Sequence, residues 1–325
     1  MSKKRTLGCF LSLALVVGLS VSSAAAEMAA QSLLSEGRVD VAIADLRAHL
    51  REQPNDAEAY HLLCRAHYSL QQWDKAISAA QKAVALDPDN SDYHLWLGRS
   101  YGEKAEHSSW FTAISLARKV RSEFETAVQL NSRNVAAQSD LAEFYMEAPG
   151  FLGGGKDKAR AQAQRLSTMD AGASHWVTAS LAERDHDFKL AEDEYRAAIE
   201  SSGNQAEYWL TLASFYRRRN RLDDMEDAIN RASTAEVNKS EVWVDAAEIL
   251  YRAGRNFPVA IQFLRHYLDS NNTSADAPAF QAHYLLGSIL EKQGDKQAAA
   301  EEYRAALSLA HDFSVAQQAL VRVSR

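Results

Sequence analysis

Residues 57–90 read AEAYHLLCRAHYSLQQWDKAISAAQKAVALDPDN, and two small residues within them, Cys64 and Ala76, set the pattern for the whole chain. A residue of little bulk returns at the place of Cys64 in Gly98, Ala142, Ala179, Ala213, Ala247 and Gly287, at gaps of 34, 44, 37, 34, 34 and 40 residues. A second series runs through Ala42, Ala76, Val120, Ala159, Ala191, Met225, Ala260 and Ala299. Two helices that cross closely need a residue without bulk at the contact, so that ridges seat in grooves. Leu63, Leu97, Leu141, Leu212 and Leu286 stand one step before the first series, and Tyr101, Tyr145, Tyr216, Leu250 and Leu290 lie a turn later. Together they form an apolar stripe of helical period. The spacing predicts paired helices repeated along the chain.

The segment 57–90 resembles a tetratricopeptide repeat (TPR), a helix-turn-helix unit of about 34 residues. Tyr60, Leu63, Cys64 and His67 match the family's packing positions on the first helix. Ala76, Ala80, Ala83 and Pro88 match those of the second helix and its exit turn. The resemblance covers nearly all of residues 27–313, although the family's proline recurs only at Pro54 and Pro88. It implies units at 27–56, 57–90, 91–134, 135–171, 172–205, 206–239, 240–279 and 280–313, with 314–325 as a capping helix. The implied fold class is all-α, an α-solenoid of about eight TPR-like hairpins forming one domain over 27–325. A lone hairpin cannot bury its apolar face, so the core runs continuously along the stack.

Three departures interrupt the period. Extra residues between Tyr101 and Phe124 keep helical spacing through Trp110, Phe111, Ile114, Ala117 and Val120, which predicts a prolonged second helix over 108–130 that overhangs one edge. Ala148–Gly155 (APGFLGGG) predicts a helix stop and a flexible loop. Asp269–Pro278 (DSNNTSADAP) predicts a polar turn between units.

The chain has 325 residues, 46% hydrophobic and 24% charged, with two cysteines, which is an ordinary globular balance. A formal charge of −7 argues against non-specific nucleic-acid binding. Lys3, Lys4 and Arg5 precede the apolar run 9–21, which is shorter than the roughly 20 residues a membrane span needs. Ser22, Ser23, Ala24, Ala25 and Ala26 then supply small residues, so residues 1–26 read as a signal peptide cleaved after Ala26. The expectation is a periplasmic or secreted protein with no membrane span after signal removal. Cys64 would then be its one thiol, and no internal disulfide forms. The long helix followed by Ala148-Pro149 and Gly153-Gly154-Gly155-Lys156-Asp157-Lys158-Ala159 resembles a group of exported bacterial TPR proteins.

No constellation of side chains spells out a reaction. Gly150-x-x-x-x-Gly155-Lys156 approaches a P-loop, but Asp157 stands where a Ser or Thr must hold magnesium, and a helix precedes it where a strand is required. His61, Cys64 and His67 are spaced three apart, which puts the two histidines about 240° apart around a helix, too far for one metal ion to collect all three. Glu183, Asp185, His186 and Asp187 read as a solvated turn. Arg217, Arg218, Arg219 and Arg221 read as a helix end balanced by Asp223, Asp224, Glu226 and Asp227. No catalytic residue, metal site or cofactor is expected, and a metalloprotein or enzyme is the least favoured reading.

The resemblance implies a concave wall lined by first-helix side chains. Carried over position by position, these are His61, Arg65 and Tyr68 in the second unit, Leu95 and Arg99 in the third, Trp176 in the fifth, and Tyr284 and Lys292 in the eighth. Arg65 and Arg99 hold equivalent places in adjacent units, a pattern suited to an acidic or C-terminal carboxylate of an extended peptide. A competing arrangement pairs both arginines with Glu58 and Asp92. The expected function is a non-catalytic protein- or peptide-binding scaffold of the bacterial envelope. The alternative is a structural subunit of an envelope assembly that uses the 108–130 helix and the Gly-rich loop.

Overall fold

In the computed structural model the described residues are 25, 27–235, 237, 239–270 and 272–325. The segment read as a signal peptide lies outside them, apart from Ala25. Seventeen helices follow one another with no β-strand among the described residues. The first hairpin is α1 (27–35) and α2 (Val39–Glu52), the second α3 (Ala57–Ser69) and α4 (Trp73–Leu86). Then come α5 (Ser91–Glu106) with α6 (Trp110–Leu130), α7 (Val135–Glu147) with α8 (Lys156–Leu166), and α9 (Ala171–Arg184) with α10 (Phe188–Ser201). The last three pairs are α11 (Ala206–Arg218) with α12 (Leu222–Ala232), α13 (Val242–Ala253) with α14 (Phe257–Asp269), and α15 (Ala279–Lys292) with α16 (Lys296–Leu309). α17 (Ser314–Val323) packs on α16. The architecture is an α-solenoid.

Local chemistry sets the helix starts. Asp56, Asn90, Asn134, Asp170, Asp187 and Asp295 each accept a backbone N–H of the first turn, satisfying a donor that the helix itself leaves open. The small-residue series then does what the spacing predicts. A Cβ placed on Gly98 would stand 2.5 Å from the ring of Phe124, and one on Gly287 would stand 2.7 Å from the ring of Tyr303. Each ring belongs to the second helix of the same hairpin and is buried by the contact.

The Trp110–Leu130 helix overhangs as expected. Trp110 is 65% and Phe111 85% exposed at its free end. The Gly-rich stretch departs from the expectation of a flexible loop. Gly150–Leu152 forms a 3-10 turn, Leu152 is buried, and its carbonyl accepts Arg121 Nη1 at 3.0 Å. Gly155 N donates to Tyr145 O at 2.8 Å, and Lys158 Nζ to Gly153 O at 2.7 Å. Lys156 ion-pairs with Asp185.

The array also closes on itself, which the period did not foretell. Phe280, Phe313 and Ala316 share one buried cluster with Ala30, Leu34 and Val39. Gly37 has φ +74°, and a Cβ there would stand 2.7 Å from Ala279 N, so only glycine permits the two ends to touch. Gln281 Nε2 donates to Ser69 O at 2.8 Å, and His311 N to Asp40 Oδ2 at 2.7 Å. The polar turn after α14 joins in. Tyr267 Oη donates to Ala277 O at 2.6 Å and accepts Ser274 N at 2.7 Å, and Asp276 reaches Arg65 at 2.9 Å.

Two outcomes follow from this packing. Gly98→Val should destabilise the protein by about 1–3 kcal/mol through overpacking, and Phe124→Leu in the same chain should restore part of that in urea denaturation. Phe313→Ala should cost about 3–5 kcal/mol and raise amide exchange in α1 and α2 as well as in α15, because both ends lean on that ring.

Candidate functional site

The first helices of successive hairpins present a row of side chains along the inner wall. In the second and third units Trp96 of α5 is the centre. The guanidinium of Arg65 lies 4.9 Å from its ring centroid and that of Arg99 lies 5.1 Å away. Tyr68 meets the same indole edge-on at 5.3 Å, and Trp73 at 5.3 Å. Tyr68 Oη donates to Glu103 at 3.1 Å. Arg65, Tyr68, Trp73, Trp96, Arg99 and Gln281 line a recess of about 410 Å³.

Both arginines are already engaged, though not with the acids that the spacing suggested. Arg65 pairs with Asp276, and Arg99 holds Asp140 through Nε at 2.6 Å and Nη2 at 3.3 Å. Glu58 instead accepts Tyr93 Oη at 3.0 Å, and Asp92 accepts Asn134 Nδ2 at 2.8 Å. The result is a chain of groups, Asp276–Arg65–Trp96–Arg99–Asp140, that spans three hairpins and the turn before α15.

The other residues expected on the wall divide. Leu95 is 3% exposed and belongs to the core, and its neighbour Trp96 takes the wall position. His61 is buried against Tyr93 at 5.1 Å, and burial together with Arg65 pushes its pKa down to about 3, so it stays a neutral packing group. Trp176 lines a different recess from Arg65, one of about 400 Å³ shared with Arg217, Arg218, Asp245, Glu248 and Arg252. Tyr284 is half-buried between Tyr303 and Phe313. Lys292 Nζ lies over the rings of Tyr251 and Phe257 at 5.0 and 5.6 Å.

His61, Cys64 and His67 do not converge. Cys64 Sγ faces Ser100 Oγ at 3.5 Å, burial lifting its pKa to about 11, and His67 Nδ1 meets Gln72 Oε1 at 2.9 Å. The basic run is spent on neighbours only in part: Arg217 Nε is buried without a hydrogen-bond partner among the described residues, and of the acids expected to balance the run only Asp224 does so, Asp223 and Glu226 pairing with Arg255 and Asp227 with Arg231. Arg218 holds Glu183, Arg221 holds Glu192 and Asp224, and Arg219 lies 3.5 Å over the ring of Phe188.

Two inner-wall carboxylates escaped the sequence reading. Glu143 lines a recess of about 490 Å³ with Glu103, Glu106, Asp140 and Glu147, and Asp245 lines the Trp176 recess. Neither forms a hydrogen bond or ion pair among the described residues. Burial, reinforced by Glu147 and Asp140, lifts Glu143 to about 7, and burial with Glu248 lifts Asp245 to about 7. A count of carboxylates on one helical face could have flagged both, but their degree of burial could not be read from spacing.

Residues 33–99 and residues 244–314 match the tetratricopeptide repeat family. These two segments carry TPR repeats, and repeats of this type serve protein–protein interaction in general. Over 299 residues it is 24% identical to tetratricopeptide repeat protein 37 of Xenopus laevis, covering 89% of this chain and 18% of that protein. The chain thus spans about a fifth of the length of the curated relative it matches. A thermophilic TPR protein of Thermus thermophilus aligns with TM-score 0.49 at 20% identity, over 59% of this chain and 98% of its own. A TPR protein of Parabacteroides merdae aligns with TM-score 0.41 at 15% identity, over 83% and 99%. Among the described residues no helix is long and apolar enough to cross a membrane.

The raised carboxyls have a signed consequence. Glu143 and Asp245 keep their protons up to about pH 7 in the folded chain, above the ordinary values of 4.5 and 3.8. Their contribution therefore falls as pH rises from those values toward 7. Replacing both (Glu143→Gln with Asp245→Asn) should raise Tm at pH 8 and leave it nearly unchanged near pH 4. His61 and His67 act in the opposite sense. Their depressed folded values, about 3 and about 4, favour the unfolded chain as pH drops below its ordinary 6.5.

Proposed function

We propose that this protein is a non-catalytic scaffold of the bacterial envelope, exported by a signal peptide cleaved after Ala26, and that a segment of a partner protein docks along its inner wall. The observation that carries the reading is the recess around Trp96, where aromatic faces and two guanidiniums are held ready by hairpins already packed. A preorganised site of this kind loses little ordering entropy on binding. The arginines select an acidic or C-terminal segment. Asp276 is 58% exposed in its pair with Arg65, so a partner's carboxylate can take its place on the guanidinium. Arg99 stays with the less exposed Asp140 and holds Trp96 from the other side.

Crosslinking in the native host with the mature chain tests this. Asp276→Asn should increase capture of the partner and Arg65→Glu should abolish it, with circular dichroism unchanged in both. Equal capture by the two variants would exclude the Trp96 recess as the docking site.

The exposed pair Trp110 and Phe111 favours a second reading, in which the overhanging helix joins this chain to an envelope assembly. Trp110→Ser with Phe111→Ser should then shift the assembly to smaller species in size-exclusion chromatography while capture at the Trp96 recess persists.

A further inference from the structure

The first helices α11 and α13 pack side by side and run in the same direction, and charge is ordered along both. Glu207 stands at the start of α11, with Arg217 and Arg218 at its end. On α13, Asp245, Glu248 and Arg252 follow at steps of three and four residues, which puts them on one face. All six line the Trp176 recess of about 400 Å³, over the buried Leu210 and Ile249. The recess is therefore acidic at one end and basic at the other. Seven residues of helix separate Asp245 from Arg252, about 10 Å along the axis.

Most of these charges are already met. Arg218 holds Glu183 through two bonds of 2.8 Å, Arg252 holds Glu248 at 2.5 Å, and Glu207 lies 3.7 Å from Lys239. Arg217 and Asp245 are left over, with no hydrogen bond or ion pair to each other or to any other group among the described residues. Arg217 Nε is buried, whereas its two terminal nitrogens are not, and Asp245 stays accessible at the recess. Their surroundings oppose their charges. Burial with Arg252 and Arg218 lowers the Arg217 guanidinium, Glu248 acting against them, and burial with Glu248, Glu241 and Glu207 lifts the Asp245 carboxyl, Lys239 acting against them.

A guanidinium crowded by two others is relieved by an anion, and a carboxylate crowded by acids is relieved by a cation. A simple anion, or a nucleic-acid strand, would suit the arginine end and be repelled at Asp245 and Glu207. A simple cation would meet the reverse. The fitting ligand carries both signs at the spacing of the two ends. In an extended peptide, side chains two residues apart point the same way about 7 Å apart, and the long stems of lysine and glutamate make up the rest. The half-buried Trp176 adds aromatic surface for those stems.

We propose that the Trp176 recess binds an extended peptide segment of mixed charge, in which a basic side chain takes Asp245 and a carboxylate two residues along takes Arg217. The site is separate from the Trp96 recess, and neither reading rests on the other.

Fluorescence anisotropy of labelled Ac-GVKVEVG-NH2 against the full chain at pH 8, where Asp245 is ionised, tests it. Asp245→Lys and Arg217→Glu should each weaken binding about tenfold. The neutral variants Asp245→Asn and Arg217→Gln, which break no bond within the chain, should weaken it in the same sense. Asp245→Lys should in turn bind Ac-GVEVEVG-NH2 more tightly than the unaltered chain does, an exchange of preference that loss of folding cannot produce. Arg65→Glu, which disables the Trp96 recess, should leave binding of the first peptide unchanged. Absence of binding, equal binding of the uncharged Ac-GVQVQVG-NH2, unchanged affinity in the Asp245 and Arg217 variants, or loss of binding in Arg65→Glu would each overturn the proposal.

Discussion

Everything in this molecule depends on how closely two helices can cross within a hairpin. Where Gly98 and Gly287 stand, an aromatic ring of the opposite helix fills the space that a Cβ would occupy. Ala179 and Ala247 hold the same place in their hairpins and are fully buried. Ridges then seat in grooves at one repeating distance, and each hairpin offers its successor the same apolar face. The helices that are left facing inward carry the side chains available for recognition.

Closure changes what that inner wall is. In an open stack the terminal hairpins would end in solvent. Here Phe280 and Phe313 are buried with Ala30 and Leu34, and Asp276 arrives beside Arg65 from the far end of the chain. A charge that looks free on its own helix is therefore engaged by a residue more than 200 positions away. The overhanging α6 and the 3-10 turn at Gly150–Leu152 belong to the same economy of packing, since Arg121 ties one to the other.

Reading helices from the chain worked where the cause was local, and less well where it was not. The small-residue series and the stripe through Leu97 and Tyr101 are properties of a single helix face, so they survive in the structure as buried contacts. Of the residues expected on the wall, Arg65, Tyr68 and Arg99 line one recess, whereas Leu95 and His61 are buried. Trp96 at the centre of the recess, and the unpaired Glu143 and Asp245, were missed because spacing says which residues share a face but not how deep that face lies. The Gly-rich stretch misled for a related reason: glycine permits mobility and also permits tight turns, and only its neighbours decide between them.

By itself, then, the order of amino acids determined the all-helical repeat of paired helices and the long helix at Trp110–Leu130, because helical periodicity acts over a few residues. The tertiary structure decided the closure of the array, the partners of Arg65 and Arg99, and the leftover charges of Arg217 and Asp245. Those outcomes depend on small angles between successive hairpins, which add up along the stack and are set by packing between side chains far apart in the chain.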